Sequence, residues 1–250
     1  MCSHNSLSKE EKEHFDNLAV EKGFHWWGNT TKAGQLRQEI RAQLAREYLA
    51  SKIEGDILEV GCGAGDFTRY LGRFFPAASI TAFDISSKLI EIAAKRSVTD
   101  NVHFVVGNTE ELPYSGESFD CVVGNAVLHH LDLSHVLPEV KRVLKHQGKL
   151  FFTEPNMLNP QVFLEKNFHF IGARLGNSPD ETAFFRWKIK RILASFGFTN
   201  IRVIPFDFLH PLVPEGLINL VCRLSGVLER VPIIKEISGS LIISARKEGP

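Results

Sequence analysis

The residues of most chemical interest are Ile57-Leu58-Glu59-Val60-Gly61-Cys62-Gly63-Ala64-Gly65, an apolar run that ends in three closely spaced glycines. Glycine has no Cβ, so such a run can turn tightly after a strand and let the backbone approach a bound ligand. Asp84 ends the next apolar run, at the spacing from which a carboxylate can accept both hydroxyls of a ribose. Further along, Asn125-Ala126-Val127-Leu128-His129-His130 follows another apolar run. An imidazole there can take a proton from a hydroxyl. The other reading leaves one histidine packed or capping a turn and the other touching a ligand.

The spacing narrows the ligand. A dinucleotide-binding turn places a further glycine one residue beyond Gly65, and that residue is Asp66. Glu59 and Asp66 flank the turn, and a pyrophosphate between them meets like charge. No Lys-Ser/Thr pair follows the glycines, so the segment is not a P-loop. S-adenosylmethionine (SAM) has no phosphate, and its sulfonium and ammonium suit acidic neighbours. On these residues the sequence resembles the class I SAM-dependent methyltransferases, closely from Ile53 to about Gly148 and loosely elsewhere. The resemblance implies that Glu59, Gly61, Cys62, Gly63 and Gly65 hold the methionine part of SAM. It implies that Asp84 binds the ribose and that Ile85 packs on the adenine. The loop Gly107–Pro113, with Asn108, Thr109 and Glu110, then meets the adenine amino group. The family usually has aspartate where this chain has Asn108; an amide oxygen still accepts, without charge assistance. Asn125 and Ala126 are expected beside the cofactor. Trp26 or Trp27 is expected on an N-terminal segment that closes over it, with Trp27 as the cofactor contact and simple helix packing as the alternative. S-adenosylhomocysteine is the implied product.

The elements that must position these residues follow from the pattern. Ser8 with Glu11 forms a capping box for a helix running to about Glu21, stopped by Gly23. A second helix carries Leu36, Ile40, Leu44 and Tyr48 on one face. Strands are expected at 56–60, 79–83, 102–106, 119–123 and 149–153. Helices between them pass through Phe67 and Leu71, follow a cap at Ser86 or Ser87, and start near Pro138. A helix from Thr182 to Phe196, closed by Gly197, and two late strands at 200–204 and 241–245 complete the chain. This alternation is an α/β fold: a Rossmann-like, seven-stranded, mostly parallel sheet with helices on both faces, N-terminal helices and an inserted helical lid. Residues 1–52 read as a helical cap and 53–250 as the SAM-binding domain, with 155–190 and 206–238 as lid and acceptor segments. Glu154-Pro155-Asn156 and the aromatics Phe163, Phe168, Phe170, Phe184, Phe185 and Trp187 suit an apolar acceptor cavity as well as a core. A stripe from Leu217 to Val231 is expected to pack in the core, with a membrane-surface or partner helix as the alternative, because Arg223 and Arg230 lie among its polar positions.

Twenty-nine Lys plus Arg balance 29 Asp plus Glu. With no basic stripe, nucleic acid is not an expected partner. The four cysteines show no metal-ligand spacing, no metal is expected, and reduced thiols in a cytoplasmic protein are the reading that follows. The N-terminus lacks a signal-peptide core, and no run is long and apolar enough for a transmembrane segment. The expected activity is methyl transfer from SAM to a small-molecule, lipid or sugar acceptor, with oxygen preferred. The alternatives are a carbon or nitrogen acceptor on a quinone or amine, and a non-catalytic scaffold with the same fold. A nicotinamide oxidoreductase is disfavoured by Asp66 and the flanking acid.

Overall fold

The computed structural model describes residues 4–23, 25, 28–49, 53–96, 99–168 and 182–249, with side chains from Glu11 onward. Trp26, Trp27 and Phe170 lie outside the described residues. In chain order the elements are α1 (His4–Lys22), α2 (Lys32–Leu49), β1 (Asp56–Val60), α3 (Thr68–Phe74), β2 (Ser79–Asp84), α4 (Ser87–Arg96), β3 (Val102–Val106) and β4 (Phe119–Asn125). They continue as α5 (Leu133–Val143), β5 (Leu144–Pro155), α6 (Pro160–Asn167), α7 (Arg186–Ser195), β6 (Phe198–Phe206), α8 (Ile218–Leu228), α9 (Pro232–Lys235) and β7 (Ser240–Lys247).

The seven strands form one sheet in the order β3-β2-β1-β4-β5-β7-β6. β1 to β5 run parallel, and β7 joins β5 and β6 antiparallel. Strand order reverses between β1 and β4, and in open α/β sheets ligands bind outside the carboxyl ends of the strands at that point. Successive residues of β1 enter opposite layers. Leu58 packs with Leu137 and Val140 of α5 and Leu193 of α7, whereas Ile57 packs with Ala42, Ala45 and Leu49 of α2 and Leu71 of α3. That period of two fixes which face each strand residue serves. Leu18 and Ala19 on α1 pack on Ala64 and Leu89, the latter on α4, so the N-terminal helix lies over the glycine turn.

Four expectations are corrected. Ser8 lies within α1, which starts at His4. Pro138 lies well inside α5 because Asp132 caps that helix, accepting from Ser134 N at 2.8 Å. Residues 182–185 are not helical: Phe184 is buried and exchanges backbone bonds with Pro155 and Met157 at 3.1 and 3.0 Å, and the helix starts only at Arg186. On α2, Leu36, Ile40, Leu44 and Tyr48 share a half-buried face as expected, while Gln38, Arg41, Ala42 and Ala45 are turned more fully inward. The stripe from Leu217 to Val231 is not core. Leu217, Leu220, Leu224, Val227 and Val231 are exposed, Val221 and Leu228 are half-buried, and the buried Ile218 lies on the other side of the helix.

Candidate cofactor and acceptor site

A cavity of about 1250 Å³ opens at the carboxyl edge of the sheet. Glu59, Gly61, Cys62, Gly63, Asp84 and Ile85 line it from β1 and β2, and Asn108, Thr109 and Glu110 from the loop after β3. Asn125, Ala126, His129 and His130 line it after β4. Gly65 does not line it: at φ +80° it completes the turn, and a Cβ there would sit 3.2 Å from Ala93 Cβ on α4. Gly61 N and Cys62 N donate to Phe83 O at 2.8 and 3.1 Å, which ties the turn to β2. At Gly61, φ is +67° and a Cβ would fall 2.2 Å from Val127 Cγ2, so no other residue fits. At Gly63 a Cβ would enter open space, on the side of the cavity that the residue lines.

The electrostatics of this end favour a cation. Asp84 is buried, its two oxygens accept from Gly63 N at 2.8 Å and Ser86 N at 2.9 Å, and burial pushes its carboxyl up. Each oxygen keeps a second acceptor site for ligand hydroxyls. Glu59 is 1% exposed and its Oε2 has no hydrogen-bond partner among the described residues. Burial, with the Asp84 charge near, pushes its carboxyl up to about 8. Such a buried acid ionises at low cost only where something cationic meets it, and the cationic methionine end of SAM fits that need. Asp66 plays a different part from the one its sequence position suggests. It is paired with Arg96 at 2.6 Å, so the acidity of the crevice rests on Glu59 and Asp84. Asn108 Oδ1 accepts from Glu110 N at 3.0 Å and shapes its own loop.

The histidine pair divides. His129 is buried, with Nδ1 2.7 Å from Glu154 Oε2. Glu154, at the end of β5, is itself fixed by Val127 N and Leu128 N, which donate to its Oε1 at 3.0 and 2.9 Å. His130 turns toward α1, with Nδ1 3.7 Å from Glu11 Oε2 and its ring edge-on to Phe15. Sequence reasoning placed Glu154 on the acceptor side without its partner; the link between 129 and 154 exists only because β4 and β5 are neighbours.

The cavity is also lined by residues the sequence did not reveal. Arg41, 7% exposed, donates to Asn125 Oδ1 at 2.8 Å, Ser240 Oγ at 2.9 Å and Asp207 Oδ2 at 3.1 Å. Arg37 pairs with the same Asp207 oxygen at 2.7 Å. Burial lowers Arg41 to about 10, and the two guanidiniums hold Asp207 below the ordinary carboxylate range against its own burial. Asn125 also donates to Gln38 Oε1 at 2.8 Å and accepts from Thr153 Oγ1 at 2.5 Å, so its amide is committed to this network. Hydrophobic periodicity marks apolar faces, and Gln38 and Arg41 on a buried face carry no such signal. Among the described residues, no group of three or more His, Cys, Asp or Glu side chains is arranged to hold a metal.

Residues 58–152 match a family model described as a methyltransferase domain. The chain is 32% identical over 143 residues to a malonyl-[acyl-carrier protein] O-methyltransferase of Priestia megaterium, covering 57% of this chain and 50% of the relative. It is 37% identical over 115 residues to a demethylmenaquinone methyltransferase of Thermotoga maritima, covering 46% and 49%. The chain thus spans about half the length of these curated relatives. Its fold matches a SAM-dependent methyltransferase of Thermotoga maritima, titled a possible histamine N-methyltransferase, with a TM-score of 0.68, 20% identity and 95% and 99% coverage of the two chains. It also matches a geranyl diphosphate C-methyltransferase of Streptomyces coelicolor, with a TM-score of 0.65, 14% identity and 99% and 100% coverage. Residues 58–152 are thus a methyltransferase domain, and the glycine turn, the buried acids and the sheet around them resemble those of the class I SAM-dependent methyltransferases.

Proposed function

We propose that the protein transfers a methyl group from SAM to an oxygen atom of a small, partly apolar acceptor. The observation that carries this reading is the buried His129–Glu154 pair on the wall of the same cavity whose glycine-turn end is built for a cation. Gly61 and Gly63 receive the methionine part of the cofactor, Glu59 faces its charge, Asp84 accepts from its ribose, and Ile85 with the Asn108–Glu110 loop holds its adenine. Bound there, SAM supplies an activated methyl group. The residues then act mainly by orientation and proximity, which are worth roughly 7–11 kcal/mol in a well-held pair of reactants.

His129 takes the proton that leaves the acceptor hydroxyl, and Glu154 holds the imidazole in place and stabilises its charged form. The relative named as an O-methyltransferase supports an oxygen acceptor. Val162, Phe208, Leu209 and Leu212 give the acceptor side its apolar character. The test is transfer of labelled methyl from SAM into fractionated cell extract, followed by mass analysis of the product. Label on oxygen, lost in His129→Ala and restored in part at high pH, is the expected result. Label on carbon or nitrogen with His129→Ala fully active overturns the reading.

A further inference from the structure

Neither the cofactor crevice nor the acceptor cavity accounts for the exposure of the α8–α9 face. Leu217, Leu220, Leu224, Val227 and Val231 recur at helical spacing on the outer side, and Ile233 (84% exposed) and Ile237 continue them. The inner side is satisfied: Ile218, Val221 and Cys222 pack against Ala33, Leu36 and Leu209. An apolar patch of this length on one face marks a surface that meets something. We propose that this face seats α8 and α9 on an anionic lipid surface.

Charge selects the occupant. Arg223 and Arg230 are exposed beside the stripe and Lys235 follows it, and none has an ion-pair partner among the described residues. Two acids of the same segment are already engaged: Glu229 accepts from Asp207 N at 2.9 Å, and Glu236 pairs with Arg186 at 3.0 Å. The face therefore presents apolar side chains edged by unpaired cations, the pattern of a helix lying in the headgroup region. A two-fold contact with a second copy would set this cationic face against itself, with those acids withheld.

Position supports the same occupant. Leu212 is 69% exposed and also lines the cavity. Asn159, at the start of α6, donates to Ile237 O at 2.9 Å, so the exposed Phe163 and Leu164 of α6 adjoin the end of the stripe. The surface thus runs from α8 to the rim of the cavity. Among the described residues no helix is long and apolar enough to cross a membrane, so the contact is one of seating.

Flotation of the full chain with phosphatidylcholine vesicles, with and without phosphatidylglycerol, tests this. The chain is expected to float with the mixed vesicles and at least tenfold less with phosphatidylcholine alone. Removing one charge near such a surface lowers partitioning about fivefold, so R223Q/R230Q together lower it about 25-fold. L220S/L224S is expected to abolish flotation while SAM titration heat stays unchanged. No flotation with mixed vesicles overturns the proposal. So does a dimer in gel filtration that L220S/L224S converts to a monomer, which assigns the face to a second copy. Should the leucine variant lose SAM binding, the arginine pair decides: unchanged flotation overturns the proposal, and the 25-fold loss supports it.

Discussion

The stretch from Ser79 to Ser86 and the stretch from Asp207 to Ser238 end at the same cavity but are held there by different means. In the first, the backbone does the holding. β2 lies inside the sheet, Phe83 O takes two N–H groups of the glycine turn, and Asp84 takes those of Gly63 and Ser86. In the second, side-chain charge does most of it. Asp207, at φ 78°, is fixed by Arg37 and Arg41, and its own N–H by Glu229; few apolar side chains there are buried. A site held by sheet backbone keeps its geometry while side chains change. A site held by ions can be reshaped by one or two substitutions.

The largest expected effect lies in the charge-held half. Asp207→Ala leaves two guanidiniums without their shared counter-ion, and breaking a buried pair costs about 3–5 kcal/mol. Urea unfolding should read this loss, with SAM affinity changed less than threefold. Because Asp207 is held below its ordinary value, its contribution is present above the usual carboxylate range and fades as pH falls through its folded-state pKa. Wild-type stability should therefore fall on acidification more than that of Asp207→Ala. Equal acid sensitivity of the two proteins would remove the ionic half of the comparison.

In the backbone-held half the expected effect is on binding. Asp84→Ala removes two ligand acceptors and should weaken SAM by about 2–4 kcal/mol, or about 30- to 1000-fold in Kd. A change under threefold in titration would show that Asp84 does not meet the ribose. Glu59 sharpens the point through pH. Its carboxyl is raised to about 8, so its contribution to stability is full below the ordinary carboxylate value and is lost as pH rises through about 8. A bound cation favours the ionised form, so SAM binding near pH 7 should release a proton. Calorimetry in buffers of different ionisation enthalpy reads that proton, and Glu59→Gln should abolish the release.

The smallest expected effect separates surface from core. Leu224→Ser, on the exposed stripe, should change stability by no more than about 0.5 kcal/mol, whereas Leu58→Ala in β1 should cost about 2–5 kcal/mol. Comparable losses in both would return the stripe to the core.

The same division governs what the sequence makes legible. The strands, the glycine turn, Asp84 and the cap at Ser86 announce themselves through period, spacing and local hydrogen bonding, all properties of short segments. The α8 stripe has the period of a buried helix, but period reports that a face is apolar and says nothing of what covers it. Arg41 with Asp207, His129 with Glu154 and Asp66 with Arg96 are pairings across 166, 25 and 30 residues, made by the fold and invisible to spacing. Residues 182–185 look helical because their neighbours do; Pro155 and Met157 pull them into an extended pairing.

A calorimetric titration of the full chain with SAM, with NAD as the reference ligand, tests most directly whether the crevice after β1 and β2 binds SAM. Saturable heat at one SAM per chain, lost or weakened at least 30-fold in Asp84→Ala and absent with NAD, is the predicted result. No heat with SAM at millimolar concentration, or saturable heat with NAD, would contradict it.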